Sequence, residues 1–316
     1  MTIQTLAVDS GKYATKACIE RNQGNISTMK FLTRMDEGKE NLGDLDSYSV
    51  LFEGKKYLVG RQATSWDPNR SKKSDIHRVS TYTAIGNLVA NGDHVNIGIG
   101  CPLSIYMNPK SRKAYKEFIV PHGKQVSITI NRKPTSFTIK RSFVFPESSG
   151  AVYLNSEEYG NDTIGVIDIG GLNANCCIYE NMIPKADVNS MFTLDEGGHI
   201  LTNRIKAELE SGCDIQLNDI LMNKILRDGF IHSNPEKSSS IISKCKEEHV
   251  LRILNECKKN GWPIENMKIV FIGGTSSLLS KEIEKIFPWT DLSISDSYGD
   301  YVNAQGFLKE TQNRIV

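Results

Sequence analysis

Two stretches of the chain place an aspartate at the same point of the same pattern. LAVDSGKYATKACI, residues 6–19, runs from apolar residues into Asp9, turns at Ser10-Gly11 and returns through Ala17-Cys18-Ile19. VIDIGGLNANCCIY, from Val166, repeats it, with Asp168 on Asp9, Gly170 on Gly11, Cys177 on Cys18 and Ile178 on Ile19 at one constant offset. A single D-x-G reads as a plain turn, because Asp and Gly are common turn residues. Two copies, one in each half, predict two related domains that each present a tight turn to a shared cleft. In such a turn glycine supplies a positive φ, and the exposed backbone N–H groups make a concavity for phosphate oxygens. An aspartate there can hold the waters of Mg²⁺, which keeps most of its hydration shell and takes few protein ligands. Lys16 stands where a long cation could reach a β- or γ-phosphate, although a lone surface lysine would carry no such meaning.

Three further stretches carry chemistry. In FVFPESSGA, residues 143–151, Glu147 is either a helix-start acid favoured by the macrodipole or a carboxylate that orients and deprotonates an attacking water. In IVFIGGTSSLL, residues 269–279, Gly273-Gly274 lets a flat ring approach the backbone; the bland reading is a strand-to-helix loop capped by Thr275 or Ser276. DYVNAQGFL, residues 300–308, alone is a plain amphipathic helix. A Walker A motif is absent from the sequence, which excludes the glycine-rich, helix-capping type of nucleotide site.

The elements that must position these residues follow from periodicity. TLAVDSG, TKACIE, ISTMKFLT, SYSVLFEG and KKYLVG read as strands, with a hairpin turn at Glu53-Gly54. Residues 66–78, WDPNRSKKSDIHR, read as a polar loop whose basic residues face water. A helix over VSTYTAIGNLVANG, a strand over NIGIGCPLSIY and a hairpin of QVSITI with TSFTIK follow. After residue 155 helices dominate: HILTNRIKAELES, LNDILMNKIL and SSSIISKCKEEHVLRILNECKKN have apolar residues at three- and four-residue spacing. A strand MKIVFIGG, a helix SLLSKEIEKIF, a strand DLSIS, a turn DSYGD and a last helix YVNAQGFLKE complete the chain.

The 316 residues suggest two domains, and 39% apolar with 24% charged residues is the composition of a globular protein. Lys plus Arg is 38 and Asp plus Glu 37, so no global field draws the chain onto a polyanion, and direct nucleic-acid binding is not expected. Seven cysteines without a C-x-x-C pair read as reduced thiols. The absence of a basic leader or a membrane-length apolar run points to the cytoplasm, with no membrane partner.

In this order and spacing the five stretches resemble the actin, heat-shock chaperone and sugar kinase superfamily over nearly the whole chain, and most resemble the ParM-type bacterial actins that segregate plasmids. The resemblance implies an α/β actin-like fold, two related ribonuclease H-like domains around a nucleotide cleft. Residues 1–155 with the C-terminal helix 300–316 would form domain I and residues 156–299 domain II. Asp9, Ser10, Gly11, Lys12 and Lys16 would make the first phosphate loop. Asp168, Gly170, Gly171 and Asn173 would make the second. Asp9 and Asp168 would act on Mg²⁺ through water, and Glu147 would activate the attacking water, with Asp168 beside it in the chemistry. Gly197 would lie near the phosphates, Lys206 near base and ribose, and Gly273, Gly274 and Thr275 against the adenosine. The family's second loop usually reads G-G-x-T-T-D; here Asn173 replaces a hydroxyl donor and Asn175 the acid. The activity implied is ATP hydrolysis coupled to head-to-tail polymerisation, with ATP or GTP left open. The chain's partners would be its own copies and a ParR-like adaptor on centromere-like plasmid DNA. Rivals of the same fold are a sugar or acid kinase and a chaperone-type ATPase, both short of the extra segments their substrates need.

Overall fold

A computed structural model describes residues 2–21, 24–67, 69, 71–288 and 299–315. The chain divides into two compact units, one of Met1–Asp162, Tyr179–Ala186 and Asp300–Val316, the other of Thr163–Ile178 and Asp187–Gly299.

The first unit opens with strands β1 (Ile3–Ser10), β2 (Ala14–Glu20), β3 (Ile26–Leu32), β4 (Met35–Glu37), β5 (Ser47–Phe52) and β6 (Lys55–Gly60). Helix α1 (Asp75–Leu88), strand β7 (Asp93–Cys101), helices α2 (Leu103–Tyr106) and α3 (Pro109–Ile119), and strands β8 (Gln125–Ile130) and β9 (Lys133–Pro146) follow. Short helices α4 (Gly150–Leu154) and α5 (Ser156–Tyr159) end this part. The sheet order is β3-β2-β1-β7-β9-β8-β5-β6-β4. β1 and β9 flank β7 in parallel, while β2 and β3 return antiparallel. Central strands buried on both faces are nearly continuously apolar, as in Leu6, Val8, Ile97 and Ile99, all at most 2% exposed. Each such side chain stabilises the fold by roughly 1.5–3 kcal/mol.

Three expectations need revision. Residues 66–78 are not loop throughout: α1 begins at Asp75, an acid that complements the helix N-terminus. LSIY is not strand, because Pro102 ends β7 and its carbonyl accepts from Ile105 and Tyr106, forming a helical turn. The segments TSFTIK and RSFVFP join into the single strand β9, and a bulge at Lys140 between Ile139 and Arg141 absorbs their mismatch against β7. The Glu53-Gly54 hairpin is present, with φ of 49° and 78° at its two turn residues.

The second unit is built on β10 (Thr163–Ile169), most of β11 (Ala174–Glu180) and β13 (Met191–Leu194); the last two residues of β11 belong to the first unit, where they pair with β12 (Ile183–Pro184). Helices α6 (Gly198–Cys213), α7 (Asp219–Asp228) and α8 (Pro235–Lys259) precede β14 (Lys268–Ile272), α9 (Gly274–Leu278) and α10 (Ser280–Ile286). β14 lies parallel to β10, and β13 antiparallel to β11. The amphipathic helices close over this sheet through Leu201, Ile205, Ile253 and Cys257. Asn218 caps α7 by accepting from Leu221 N–H, and Gly229 closes it at φ 82°. The strand expected over 291–295 and most of the DSYGD turn lie outside the described residues.

The last helix, α11 (Val302–Ile315), belongs to the first unit. Its Phe307 stacks on Phe145 of β9 at 5.5 Å between ring centroids. It crosses α4 so closely that a Cβ on Gly306 would stand 2.2 Å from the Gly150 carbonyl oxygen. All seven cysteines are free thiols, six of them buried.

Candidate functional site

In the first unit Asp9 lies at the C-terminal end of β1, paired across the hairpin with Lys16 of β2. Burial pushes the Asp9 carboxyl up from its ordinary range, and Lys16 and then Lys72 pull it down, against a neighbouring Glu147. Gly11 follows at the turn, but neither it nor Gly170 of the second copy adopts a positive φ. The requirement for glycine is one of space: a Cβ on Gly11 would meet the Ala14 carbonyl oxygen at 2.8 Å. Behind the turn, Ser10 Oγ is 3.1 Å from His77 Nδ1, and Thr15 Oγ1 is 2.9 Å from Thr33 Oγ1. Burial, with Lys72 adding to it, drives the His77 imidazole down to about 3, so it is neutral at pH 7. Lys12 is partly exposed beside the turn. Lys16 lies 3.9 Å from Asp300, which also pairs with Lys30.

Glu147 follows the end of β9, where its N–H bonds to the Cys101 carbonyl at 2.9 Å. The next residue, Ser148, is held at φ 75°, a left-handed conformation that costs a non-glycine residue about 1 kcal/mol or more. The Glu147 carboxylate is ion-paired and hydrogen-bonded with the Lys72 ammonium. Lys72 is 4% exposed and Glu147 5%, and Lys72 itself has φ 51°. Burial would pull the Lys72 ammonium down, yet Glu147 and Asp9 outweigh it and hold the group above its ordinary value. Asp9, Lys72 and Glu147 thus form one buried charged cluster. Sequence reasoning missed Lys72, assigning it with its neighbours to a solvated loop. Nothing local marks it: Lys73, the adjacent residue, is exposed and sits 5.9 Å above the Phe118 ring.

The second unit carries the repeat of this hairpin. Asp168 ends β10 and is buried, and Gly170 N–H bonds to the Asn173 carbonyl at 2.9 Å. The loop carbonyls take up the donors at the head of α6: Gly198 N–H bonds to Gly170 O at 3.0 Å and His199 N–H to Gly171 O at 2.8 Å. Gly197 meets the loop so closely that a Cβ there would stand 2.2 Å from the Leu172 carbonyl carbon. Thr275 Oγ1 also donates to Gly170 O, at 2.9 Å. Asn173 and Asn175 form a neutral amide pair, in which Asn175 Oδ1 accepts from Asn173 Nδ2 at 3.3 Å and from Thr193 Oγ1 at 2.8 Å. After β14, Gly273 has φ 93°, and a Cβ on it would lie 2.5 Å from Asp168 Oδ1. The structure therefore brings Asp168, Gly170, Gly171, Asn173, Gly197, Gly273, Gly274 and Thr275 around one loop. Lys206 lies farther along α6, partly buried.

Residues 7–150 match the family model described as the N-terminal domain of actin-like proteins. The chain has the actin-like fold. Its fold matches that of Ta0583, an archaeal actin homologue, with a TM-score of 0.80 at 20% identity over 98% of this chain and 99% of that one. Alp12 in its filament structure matches at 0.75 and 25% identity over the full length of both chains. Bacillus thuringiensis ParM with ATP matches at 0.71 and 13% identity, again over both chains entirely. No curated protein matches the sequence. Among the described residues no helix is long and apolar enough to cross a membrane. Nor do three or more His, Cys, Asp or Glu residues cluster there as a metal site.

Proposed function

We propose that this actin-like chain binds and hydrolyses ATP and polymerises head to tail into filaments, with hydrolysis weakening the polymer. The observation that carries the reading is the buried cluster of Asp9, Lys72 and Glu147 beside the first hairpin turn. Isolating three charges from water is costly, and unpartnered apolar residues of similar volume would stabilise the fold as well or better. Such a cluster in an actin-like fold is best explained by chemistry at the site.

The loops around Gly11 and Gly170 would take the phosphates, with Lys12, Lys16 and the Asn173 amide as further donors. Gly273, Gly274 and the backbone near Thr275 would take the adenosine, and Lys206 the ribose side. Mg²⁺ fits this donor set, since each loop offers a single buried carboxylate, Asp9 or Asp168, and the ion keeps most of its waters. When bound it would neutralise phosphate charge. Glu147 would accept the proton of the attacking water, and Lys72 would fix the carboxylate's direction through their shared bond. A head-to-tail contact is heterologous and does not close, so it yields a filament. Alp12 is described in a filament structure, which supports polymerisation here. We further propose plasmid segregation in the cytoplasm, through a ParR-like adaptor on DNA, as the polymer's use; the near-zero net charge of +1 fits an indirect contact with DNA.

The test is light scattering and pelleting after adding ATP and Mg²⁺, with phosphate release followed in parallel. Scattering should rise above a critical protein concentration and decay as ATP is consumed. Phosphate release without any rise over a wide concentration range would sink the filament reading.

A further inference from the structure

We infer that His77 is a positioning residue for the first hairpin turn, fixing the Ser10 hydroxyl as a donor for a phosphate oxygen. α1 carries the imidazole behind the turn, where His77 is 1% exposed and Ser10 6%. Ser10 Oγ lies 3.1 Å from His77 Nδ1 and 3.4 Å from Thr15 Oγ1, which is itself 2.9 Å from Thr33 Oγ1. The second ring nitrogen, Nε2, is buried with no hydrogen-bond partner among the described residues.

The unused nitrogen decides the direction of the bond. A neutral imidazole, as this one is at pH 7, carries one proton, and its other nitrogen is an acceptor. With the proton on Nε2 a buried N–H would go unpaired, which native structures rarely allow; with the proton on Nδ1 only a lone pair is left over. Nδ1–H therefore donates to Ser10 Oγ. The hydroxyl is then occupied as an acceptor, and its own proton is left for another partner. Thr15 Oγ1 is a poor one, since 3.4 Å is long for a bond between hydroxyls and Thr33 is closer to it. A phosphate oxygen at the turn would take a charge-assisted bond, the stronger choice. The plain alternative is a histidine kept for packing alone. A half-satisfied imidazole is a poor filler, because a phenylalanine would occupy the space without stranding a buried polar atom.

This assignment rests on the proposed ATP binding, so the test has one arm on the nucleotide and one on the ring alone, both in the full chain. In ¹⁵N NMR without nucleotide, the ring signals that disappear in His77→Asn should show a protonated Nδ1 and a bare Nε2. His77→Phe keeps a ring and removes the donor, and should weaken ATP binding about fivefold, the worth of one ordinary hydrogen bond. His77→Asn, whose amide N–H₂ can stand in for Nδ1–H, should stay within about twofold of wild type. In a Ser10→Ala background His77→Phe should add less than about twofold, because the hydroxyl it acts through is gone. A ring protonated on Nε2, or a loss of equal size in both backgrounds, would overturn the assignment. The NMR arm uses the wild-type fold, so it judges the bond even if His77→Phe fails to fold. A wild-type chain that binds no ATP would remove the proposed function, while the ring's protonation still judges the bond to Ser10.

Discussion

Replacing Lys72 by methionine keeps the stem and removes the charge. In the folded unit Asp9, Lys72 and Glu147 are 6%, 4% and 5% exposed, so water screens their interaction little. The wild-type cluster carries two carboxylates and one ammonium; the variant removes that ammonium and leaves Lys16 as the cation that lowers Asp9. Removing one partner of a buried pair costs about 3–5 kcal/mol, and that is the expected loss of unfolding free energy at pH 8. The loss depends on pH with a definite sign. Burial already holds the Asp9 carboxyl above its ordinary range, and without Lys72 one of the cations that lower it is gone, so it rises further. The Asp9 contribution is complete below the unfolded value and lost as pH rises through the folded one, so the deficit is smaller at pH 5 than at pH 8. Urea unfolding at the two pH values, followed by tryptophan fluorescence, measures it. Adding Glu147→Gln should recover more than half of the deficit by removing the second charge. A Lys72→Met chain within about 0.5 kcal/mol of wild type at pH 8, the range of ordinary surface substitutions, would refute the buried pair. So would a deficit of equal size at both pH values.

Glu147→Ala should keep nucleotide affinity, measured by fluorescence titration, but slow phosphate release about a hundredfold or more, as loss of a positioned base does. Gly306→Ala drives a methyl to within 2.2 Å of backbone and should lower stability by about 1–3 kcal/mol or more in urea unfolding. The His77 imidazole is held at about 3, below its unfolded value of about 6.5, so wild-type stability is lost as pH falls between those values, by up to about 1.4 kcal/mol per unit. His77→Gln removes that dependence, and its urea midpoint should fall less than the wild type's between pH 6.5 and 4.5.

Much of the frame was legible from local pattern. The hairpin pairs around Asp9 and Asp168, the Glu53-Gly54 turn and the amphipathic helices α6 and α8 rest on periods of two and 3.6 residues, which need only near neighbours. Boundaries were less legible where burial matters: the first turns of α1 include His77, buried against Ser10 of β1, in a stretch whose local pattern is polar. The positive φ expected at the two turn glycines is not there, and at Gly11 it is the Ala14 carbonyl oxygen, brought close by folding, that excludes a side chain.

By itself the sequence determined which residues repeat, which turns they occupy, and that an acid follows β9 at Glu147. Only the tertiary structure decided what surrounds those acids. Lys72 and Lys73 are adjacent and identical, and one is buried against a carboxylate while the other faces a ring and water. Asn303 sits in a helix whose pattern says no more than amphipathic, yet its side chain accepts from the Gly150 N–H, 153 residues away. The reason is physical: local pattern records how a segment meets its own neighbours, whereas the partner of a buried charge is chosen by which strands and helices the core packs together.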